Sequence, residues 1–231
     1  TNIDGDGTTV TVTCGTTAVT NHNLTTNDNI EGMMTTFGLP LGGKYYWEVE
    51  ADDGYLVGIA PIETRGGNNA TYSNGEGTLS YYTNGNKYDD GVSSSYGATW
   101  TNGDVIGILA GNGEIKFFKE GADQGVAFNS LTGFYKPSVS AFGSDGTGAI
   151  FNFGQNPTFN GGETAGGETD SEGIGNFAFD EAGSGKALCS NNLPEIEIGQ
   201  GANDLATDYF NTVLWTGNSA ASRNITGFGF D

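Results

Sequence analysis

Few residues of this chain could carry catalytic chemistry, and most of those are acidic. His22 is the only histidine, so it would have to be the base of any Ser-His-Asp arrangement. Its polar setting predicts a loop position instead. The pairs Asp52-Asp53 and Asp89-Asp90 offer neighbouring carboxylates, but glycoside hydrolysis needs two carboxylates across a substrate cleft. Solvated surface pairs are the better interpretation. The residues therefore predict a protein that is not an enzyme, with a glucanase-like hydrolase as the weakest hypothesis.

Asp4 and Asp6 are the one candidate for metal binding. The run Asp4-Gly5-Asp6-Gly7 resembles the beginning of a calcium loop, in which alternate carboxylates converge on the cation. The twelfth position of such a loop holds a glutamate, whereas here it is Gly15. A flexible acidic turn is the better interpretation, and Asp4 and Asp6 are kept as a weak calcium candidate. No cofactor is predicted.

Two loops carry polar and aromatic residues that suit recognition. The loop at 62–77 contains Arg65, Asn68 and Tyr72, which place a positive charge near an aromatic ring. Asp89 lies in the next connection along the chain. Recognition residues lie disproportionately on loops that a rigid scaffold holds in place. We therefore predict that Arg65, Asn68, Tyr72 and Asp89 contact a binding partner.

The charge balance excludes some classes of partner. The 231 residues include 28 acidic and 8 basic side chains, for a net charge of −20, so the phosphate backbone of a nucleic acid would be repelled. No apolar run approaches the roughly 20 residues that a membrane span needs. We expect neither nucleic-acid binding nor membrane insertion. Cys14 and Cys189 are the only cysteines; two unpaired thiols are predicted, with one long-range disulfide as the alternative.

Short strand patterns at intervals of roughly ten residues must position these loops. Glycine is abundant, at 40 residues, and suits tight turns because it adopts positive φ without strain. Asn-Gly, Asp-Gly and Gly-Gly pairs separate the patterns. The chain is therefore predicted to be all-β, with an antiparallel β-sandwich. The predicted strands are Thr8–Cys14, Met33–Phe37, Tyr45–Ala51, Tyr55–Ala60, Leu79–Tyr82, Val105–Ala110, Ile115–Lys119, Val126–Phe128, Ser138–Phe142 and Ala149–Phe153.

Alternation within these strands predicts which side chains enter the core. In the run 43–50, the predicted core residues are Tyr45, Trp47 and Val49. The residues predicted to face water are Tyr46, Glu48 and Glu50. Farther along, Ile115 and Phe117 share one face of a hairpin whose turn is predicted near 120–123. The run 111–116 is predicted to be a second hairpin turn.

The sandwich is predicted to span residues 1–157, because the composition of the chain changes after residue 157. Residues 158–185 are rich in glycine and acidic side chains, with little apolar material for a packed core, and are predicted to form a flexible linker. Residues 186–231 regain apolar side chains, Trp215 among them, and are predicted to begin a second β module. Those apolar side chains would be exposed without a partner chain, which predicts a homo-oligomer.

Motifs from Gly43 onward resemble the successive strands of SPRY domains. In order they are GKYYWEVE (43–50), YLVGIAP (55–61), SYYTNGNKYDDG (80–91), YGATWTNGDVIGI (96–108), GEIKFFKEGADQGVAF (113–128), YKPSVSAFG (135–143) and AIFNFG (149–154). The resemblance implies a concanavalin A-like jelly roll. It also implies a peptide-binding face with aromatic residues at Tyr88 and Phe142. For Phe142, core packing is an equal alternative, and Tyr88 is alternatively a cover for the sheet edge.

The tail of the chain resembles bacteriophage virion proteins that continue beyond a SPRY domain. The resemblance rests on NFGQNP (152–157), KALCSNNLPEIEIG (186–199), DYFNTVLWTGN (208–218) and ITGFGF (225–230). It implies a tail fibre, spike or head decoration in the virion, whose partners are other virion proteins or a protein or glycan of the host surface. The alternative is a lectin-like, carbohydrate-binding module of a secreted or surface protein, an extracellular location, in which Tyr82, Tyr88 and Trp100 stack on sugars.

Overall fold

Short β-strands account for most of the regular structure. The computed structural model describes residues 24–25, 33–64, 77–141 and 149–193. The strands among these residues are β1 (Leu24–Thr25), β2 (Met33–Met34), β3 (Lys44–Ala51), β4 (Tyr55–Pro61), β5 (Leu79–Tyr82), β6 (Asn86–Asp89), β7 (Val92–Ser95), β8 (Val105–Gly111), β9 (Glu114–Lys119), β10 (Ala122–Phe128), β11 (Tyr135–Ala141), β12 (Ala149–Asn152) and β13 (Lys186–Ala187). Short 3₁₀ helices lie at Phe159–Gly161, Asp180–Ser184 and Ser190–Asn192. None of the helices in the described part of the chain is long and apolar enough to cross a membrane.

Two sheets, named here sheet I and sheet II, form the sandwich. Sheet I has the order β1-β12-β3-β8-β9-β10, and sheet II has the order β2-β11-β4-β5-β6-β7. All of these pairs are antiparallel; β13 adds to sheet I by pairing in parallel with Tyr45 and Tyr46 of β3. The predicted all-β sandwich is confirmed. The predicted strand Thr8–Cys14 lies outside the described residues.

The core between the sheets follows the predicted alternation. Tyr45, Trp47 and Val49 of β3 are buried and belong to one cluster with Tyr55 and Val57 of β4. Ile115 and Phe117 of β9 are fully buried in the same cluster, because every second residue of a strand points to the same face. These core predictions are confirmed.

Two tight turns hold the predicted hairpins of sheet I. Asn112-Gly113 joins β8 to β9 and Glu120-Gly121 joins β9 to β10, and the φ angles of these residues are 52°, 81°, 46° and 74°. Positive φ at both central residues defines the type I′ turn, which matches the twist of the flanking strands. Both hairpin predictions are confirmed. Strands β6 and β7 were not predicted, because their mostly polar residues lack an apolar alternation.

The outer face of sheet I is buried, contrary to the prediction for residues 46 and 48. Tyr46 and Glu48 have no exposed surface, whereas Glu50 is half-buried. Residues 158–193, called here the cover, pack over this face. The ring of Phe177 lies edge-on to Tyr46 with 5.3 Å between ring centroids. Tyr46, Leu109 and Phe118 of sheet I thus share a second apolar cluster with the cover.

The predicted linker and domain boundaries are corrected by these contacts. The chain divides into the units Thr1–Leu193 and Pro194–Asp231, so the first boundary falls at residue 193 instead of 157, and the second unit lies outside the described residues. Leu188, assigned from the sequence to a second module, is a core residue of the sandwich. The glycines of the cover serve packing: a Cβ on Gly175 would lie 2.8 Å from the Phe177 ring.

Asp170 holds the cover in its folded form. One carboxylate oxygen accepts hydrogen bonds from the backbone N–H groups of Glu172 (2.9 Å) and Ile174 (2.7 Å). The second accepts from the N–H of Ala187 and from the Asn192 side-chain amide, both at 2.6 Å. Asp170 is buried, and a buried carboxylate is tolerated only when its lone pairs are satisfied in this way.

Candidate functional site

Several loops lie together at one end of the sandwich, which is called here the groove end. Tyr135 begins β11 opposite Pro61, the last residue of β4. Leu79 pairs with both Ile59 and Asp89, so Asp89 lies at this same end. At the other end, Ala141 pairs with Tyr55. The register therefore determines which loops are neighbours.

The loop at 129–134 crosses the groove end from β10 to β11. The N–H of Leu131 donates to the Gly113 carbonyl (3.0 Å), and the N–H of Ile62 donates to the Phe134 carbonyl (2.9 Å). At its end, the Tyr135 carbonyl accepts from the N–H of Leu39 (2.7 Å). The loop is thus fixed by backbone hydrogen bonds to three neighbouring segments, which limits the entropy that it would lose on binding a ligand.

A polar groove of about 410 Å³ lies beside this loop. Its walls come from the start of β5, from β6 and from the end of β10, and the loop at 129–134 forms one side. The residues that line it are Gly77, Leu79, Lys87, Asp89, Ala127, Phe128, Asn129, Ser130, Leu131, Thr132 and Tyr135. This volume lies within the usual range for ligand pockets, and backbone, hydroxyl and carboxylate groups supply its polar contacts.

A smaller, more apolar hollow adjoins the groove. It encloses about 160 Å³ and shares Leu131 and Tyr135 with the groove. The residues that line it are Leu39, Pro40, Leu41, Gly42, Gly111, Asn112, Gly113, Leu131, Gly133 and Tyr135. Leu41 is 68% exposed, and Phe134, next to lining residues Gly133 and Tyr135, is 58% exposed. Large apolar side chains gathered in this way mark interaction surfaces.

The electrostatic character of the groove end is acidic among the described residues. Asp89 and Glu63 are exposed, and the pKa of Tyr135 is raised, mainly by burial and further by these two carboxylates. Lys87 donates to the Ala127 carbonyl and lies 5.1 Å from the centroid of the Phe128 ring. Lys136 is buried and donates to the Thr64 carbonyl at 2.6 Å. These two ammonium groups therefore contact the protein itself, and Lys44, which lies opposite Gly111 of the neighbouring strand, pairs with Glu114 at 3.2 Å.

Of the four loop residues predicted to contact a partner, only Asp89 lies among the described residues. Asp89 lines the groove. Arg65, Asn68 and Tyr72 lie outside the described residues, but the chain is described up to Thr64 and again from Gly77, both at the groove end. There the N–H of Gly77 donates to the Asp90 carboxylate at 2.9 Å.

The two aromatic residues implied by the resemblance are not brought together at the groove. Tyr88 lies in a strand with 8% of its surface exposed, and its ring is edge-on to Tyr82 at 5.9 Å. This burial agrees with the alternative that Tyr88 covers the sheet edge, and its role in binding stays a prediction. Phe142 lies outside the described residues, and β11 ends just before it at Ala141, the end of the sandwich opposite to Asp89.

Two other predictions from the sequence concern sugars and metals. Trp100 is 2% exposed, so the stacking of this ring on a sugar is excluded by burial; Tyr82 is partly buried. Asp4 and Asp6 lie outside the described residues. Within the described ranges, no group of three or more acidic, histidine or cysteine side chains could hold a metal ion.

The most perturbed carboxylates lie away from the groove. Burial raises the pKa of Glu48 to about 7, opposed by hydrogen bonds from Ala178, Asn152, Phe179 and Tyr46. Burial also raises the pKa of Glu50 to about 7, with repulsion from nearby carboxylates adding to the rise. A shifted pKa often marks a functional site, but Glu48 is fully enclosed. Its donors are the cover and sheet I, which assigns it a structural role.

Sequence reasoning missed the residues that shape the groove end. Leu41, Leu131, Phe134 and Tyr135 were given no role, and all lie in or beside loops rich in glycine and proline. The signal available in the sequence was the presence of two large apolar side chains, Leu41 and Phe134, in loop segments. Adjacent apolar residues that are exposed in loops indicate an interaction surface.

Part of the chain is similar to known proteins. Residues 44–156 match the family model described as SPRY domain. The SPRY domain of human HERC1 is 20% identical, with a TM-score of 0.42, over 52% of this chain and 79% of that chain. Stonustoxin is also 20% identical, with a TM-score of 0.42, over 54% of this chain and only 22% of its own. No curated protein sequence matches the chain. The family match spans the strands from β3 to β12, so residues 44–156 of this chain are similar to SPRY domains.

Proposed function

We propose that the groove end binds an exposed segment of a partner protein and that the chain acts by recognition without catalysis. SPRY domains are generally protein-interaction modules. The observation that carries the proposal is the pre-formed groove of about 410 Å³ beside an apolar hollow, with the shared loop fixed by backbone hydrogen bonds. Arg65, Asn68 and Tyr72 lie outside the described residues and are proposed as part of the same surface, because Thr64 and Gly77, the described residues on either side of them, lie at the groove end.

Blocking the groove tests this proposal. A displayed library of random 12-residue peptides is selected on the full chain, and the enriched peptides are measured on a Thr132→Trp variant, in which a large ring fills the groove from an exposed position. We expect binding to fall at least tenfold. The matched control is Asp53→Trp, since Asp53 is exposed in a turn at the opposite end. Equal binding to wild type and Thr132→Trp, or no enriched peptide, contradicts the proposal.

We further propose that the domain is part of a bacteriophage virion, as a tail fibre, spike or head decoration. The support is the succession of motifs at 186–199, 208–218 and 225–230, most of which lies outside the described residues. In this setting the partner is another virion protein or a protein or glycan of the host surface. Mass spectrometry of purified particles tests the location: absence of the chain from particles that remain infectious contradicts it.

A further inference from the structure

The groove end has two adjoining compartments of different chemistry. We infer that its ligand is a protein segment in which a lysine or arginine lies one or two residues from a large apolar side chain. The inference rests on the proposed function and names the class of partner for the same surface. It is argued from the charge of the groove, the exposed apolar side chains of the hollow and the wall that the two share.

The polar compartment suits a cation. Asp89 lines the groove, and both Asp89 and Glu63 act electrostatically on the Tyr135 hydroxyl at its edge. Lys87 and Lys136 keep their positive charges, but their ammonium groups are directed at the carbonyl oxygens of Ala127 and Thr64. The acidic side chains Glu63, Asp89 and Asp90 still outnumber these two lysines at the groove end. With a net charge of −20 for the chain, a basic segment is attracted from a distance as well as at contact.

The apolar compartment suits an aliphatic or aromatic side chain. Leu39, Leu41 and Leu131 line the hollow, and Leu41 keeps 68% of its surface exposed. Phe134 is 58% exposed beside it. A ligand side chain that covers these groups removes apolar surface from water on both partners, which is the main favourable contribution to association. An acidic or wholly polar segment would gain nothing here.

The shared wall sets the spacing of the two ligand groups. Leu131 and Tyr135 line both compartments, so the occupants of groove and hollow are adjacent. Side chains two residues apart in an extended segment lie on one face, roughly 7 Å from each other. Residues two apart in an extended segment, or adjacent residues where the segment bends, can therefore fill both compartments at once.

The composition of selected peptides tests the inference. The random 12-residue library described above is selected on the full chain, with peptides that also bind Thr132→Trp removed. We expect enrichment of peptides in which Lys or Arg lies within two positions of Leu, Ile, Met, Val or Phe. For the best such peptide, Asp89→Asn should weaken binding about tenfold, and replacing the basic residue of the peptide by Gln should abolish this sensitivity. Leu41→Ser should weaken both peptides. Asp53→Asn, at the opposite end, is the control and should have no effect.

The outcomes separate the inference from the proposed function. The inference is overturned, and the proposed function stands, if the groove-dependent peptides lack a basic residue. The same holds if their binding is unchanged by Asp89→Asn. If no peptide binding depends on Thr132, both are overturned. Thermal unfolding of Asp89→Asn and Leu41→Ser, both at exposed positions, excludes misfolding as the reason for a loss.

Discussion

Glu48 shows how one buried carboxylate joins a strand to a distant segment. Its oxygens accept hydrogen bonds from the N–H groups of Ala178 (3.1 Å) and Phe179 (3.1 Å) and from the Asn152 side chain (2.9 Å). The Tyr46 hydroxyl donates to it as well, at 3.2 Å. These donors replace the water molecules that would otherwise hydrate the Glu48 carboxylate. Despite them, burial dominates and the pKa of Glu48 is raised to about 7.

This raised pKa predicts a pH dependence of stability. Below pH 4.5, the ordinary pKa of the group, the carboxyl is protonated in the folded and the unfolded chain alike. Between pH 4.5 and about 7 the unfolded chain releases a proton that the folded chain keeps, so the free energy of unfolding falls as pH rises. The Glu48 contribution is about 3 kcal/mol at most. Urea unfolding between pH 4.5 and 8 should show a flatter pH dependence for Glu48→Gln than for wild type; parallel curves would contradict the assignment.

Tyr88 is expected to act as a packing residue. It is 8% exposed and contacts Tyr82 ring to ring, so Tyr88→Ala should lower the free energy of unfolding by about 3 kcal/mol, as for other buried aromatic residues. The control is Val92→Ala in the paired strand, where the side chain is 70% exposed and a change below about 0.5 kcal/mol is expected. Urea unfolding measures both. A stable Tyr88→Ala protein that no longer binds groove peptides would instead support the binding role implied by the resemblance.

At the scale of elements, the cover completes sheet I. It buries Tyr46, Leu109 and Phe118, which residues 44–156 alone would leave on an outer face. A chain shortened after Asn156 should therefore unfold more easily and bind the dye ANS, which reports exposed apolar surface. A chain ending at Leu193 should unfold like the full sandwich. Equal stability of the two shortened chains would show that the cover contributes nothing to the fold.

Asp170 is the residue on which the folded form of the cover depends most. Asp170→Ala removes the acceptor of the buried Ala187 N–H and of the partly buried Ile174 N–H, and one acceptor of the Asn192 amide, so we expect a loss of about 2 to 4 kcal/mol. Glu172→Ala in the same turn removes only an exposed ion pair with Lys186 and should cost less than about 1 kcal/mol. Hydrogen exchange at the amides of Ile174 and Ala187 gives the local measurement. Unchanged protection of both amides in Asp170→Ala would contradict this role.

At the scale of the whole molecule, association is predicted to depend on the second unit. The apolar side chains of residues 194–231, Trp215 among them, lie outside the described residues, so the homo-oligomer stays a prediction. Light scattering should give an oligomer for the full chain and a monomer for a chain ending at Leu193. A monomeric full chain would contradict the prediction, and an oligomeric shorter chain would place the interface on the sandwich.

The sequence by itself determined the features that depend on neighbours along the chain. Alternation in β3 identified Tyr45, Trp47 and Val49 as core residues, because strand side chains point to opposite faces in turn. Asn112-Gly113 and the turn at Glu120-Gly121 were readable from local turn chemistry. Ordered motifs over 43–154 indicated the SPRY fold, which the family match over 44–156 supports.

Only the tertiary structure decided where the distant segments meet. The composition of residues 158–185 indicated a linker, yet Ala178 donates to Glu48 across 130 positions of sequence, and no local pattern encodes such a contact. The groove likewise unites the start of β5, the end of β6 and the loop at 129–134. The motif around Tyr88 left open whether the ring binds a partner or covers the sheet edge, and the packing of the ring against Tyr82 is visible only in the fold. Strand register and the filling of one outer face are properties of the whole fold, because each depends on which segments pack together and not on the residues of any one of them.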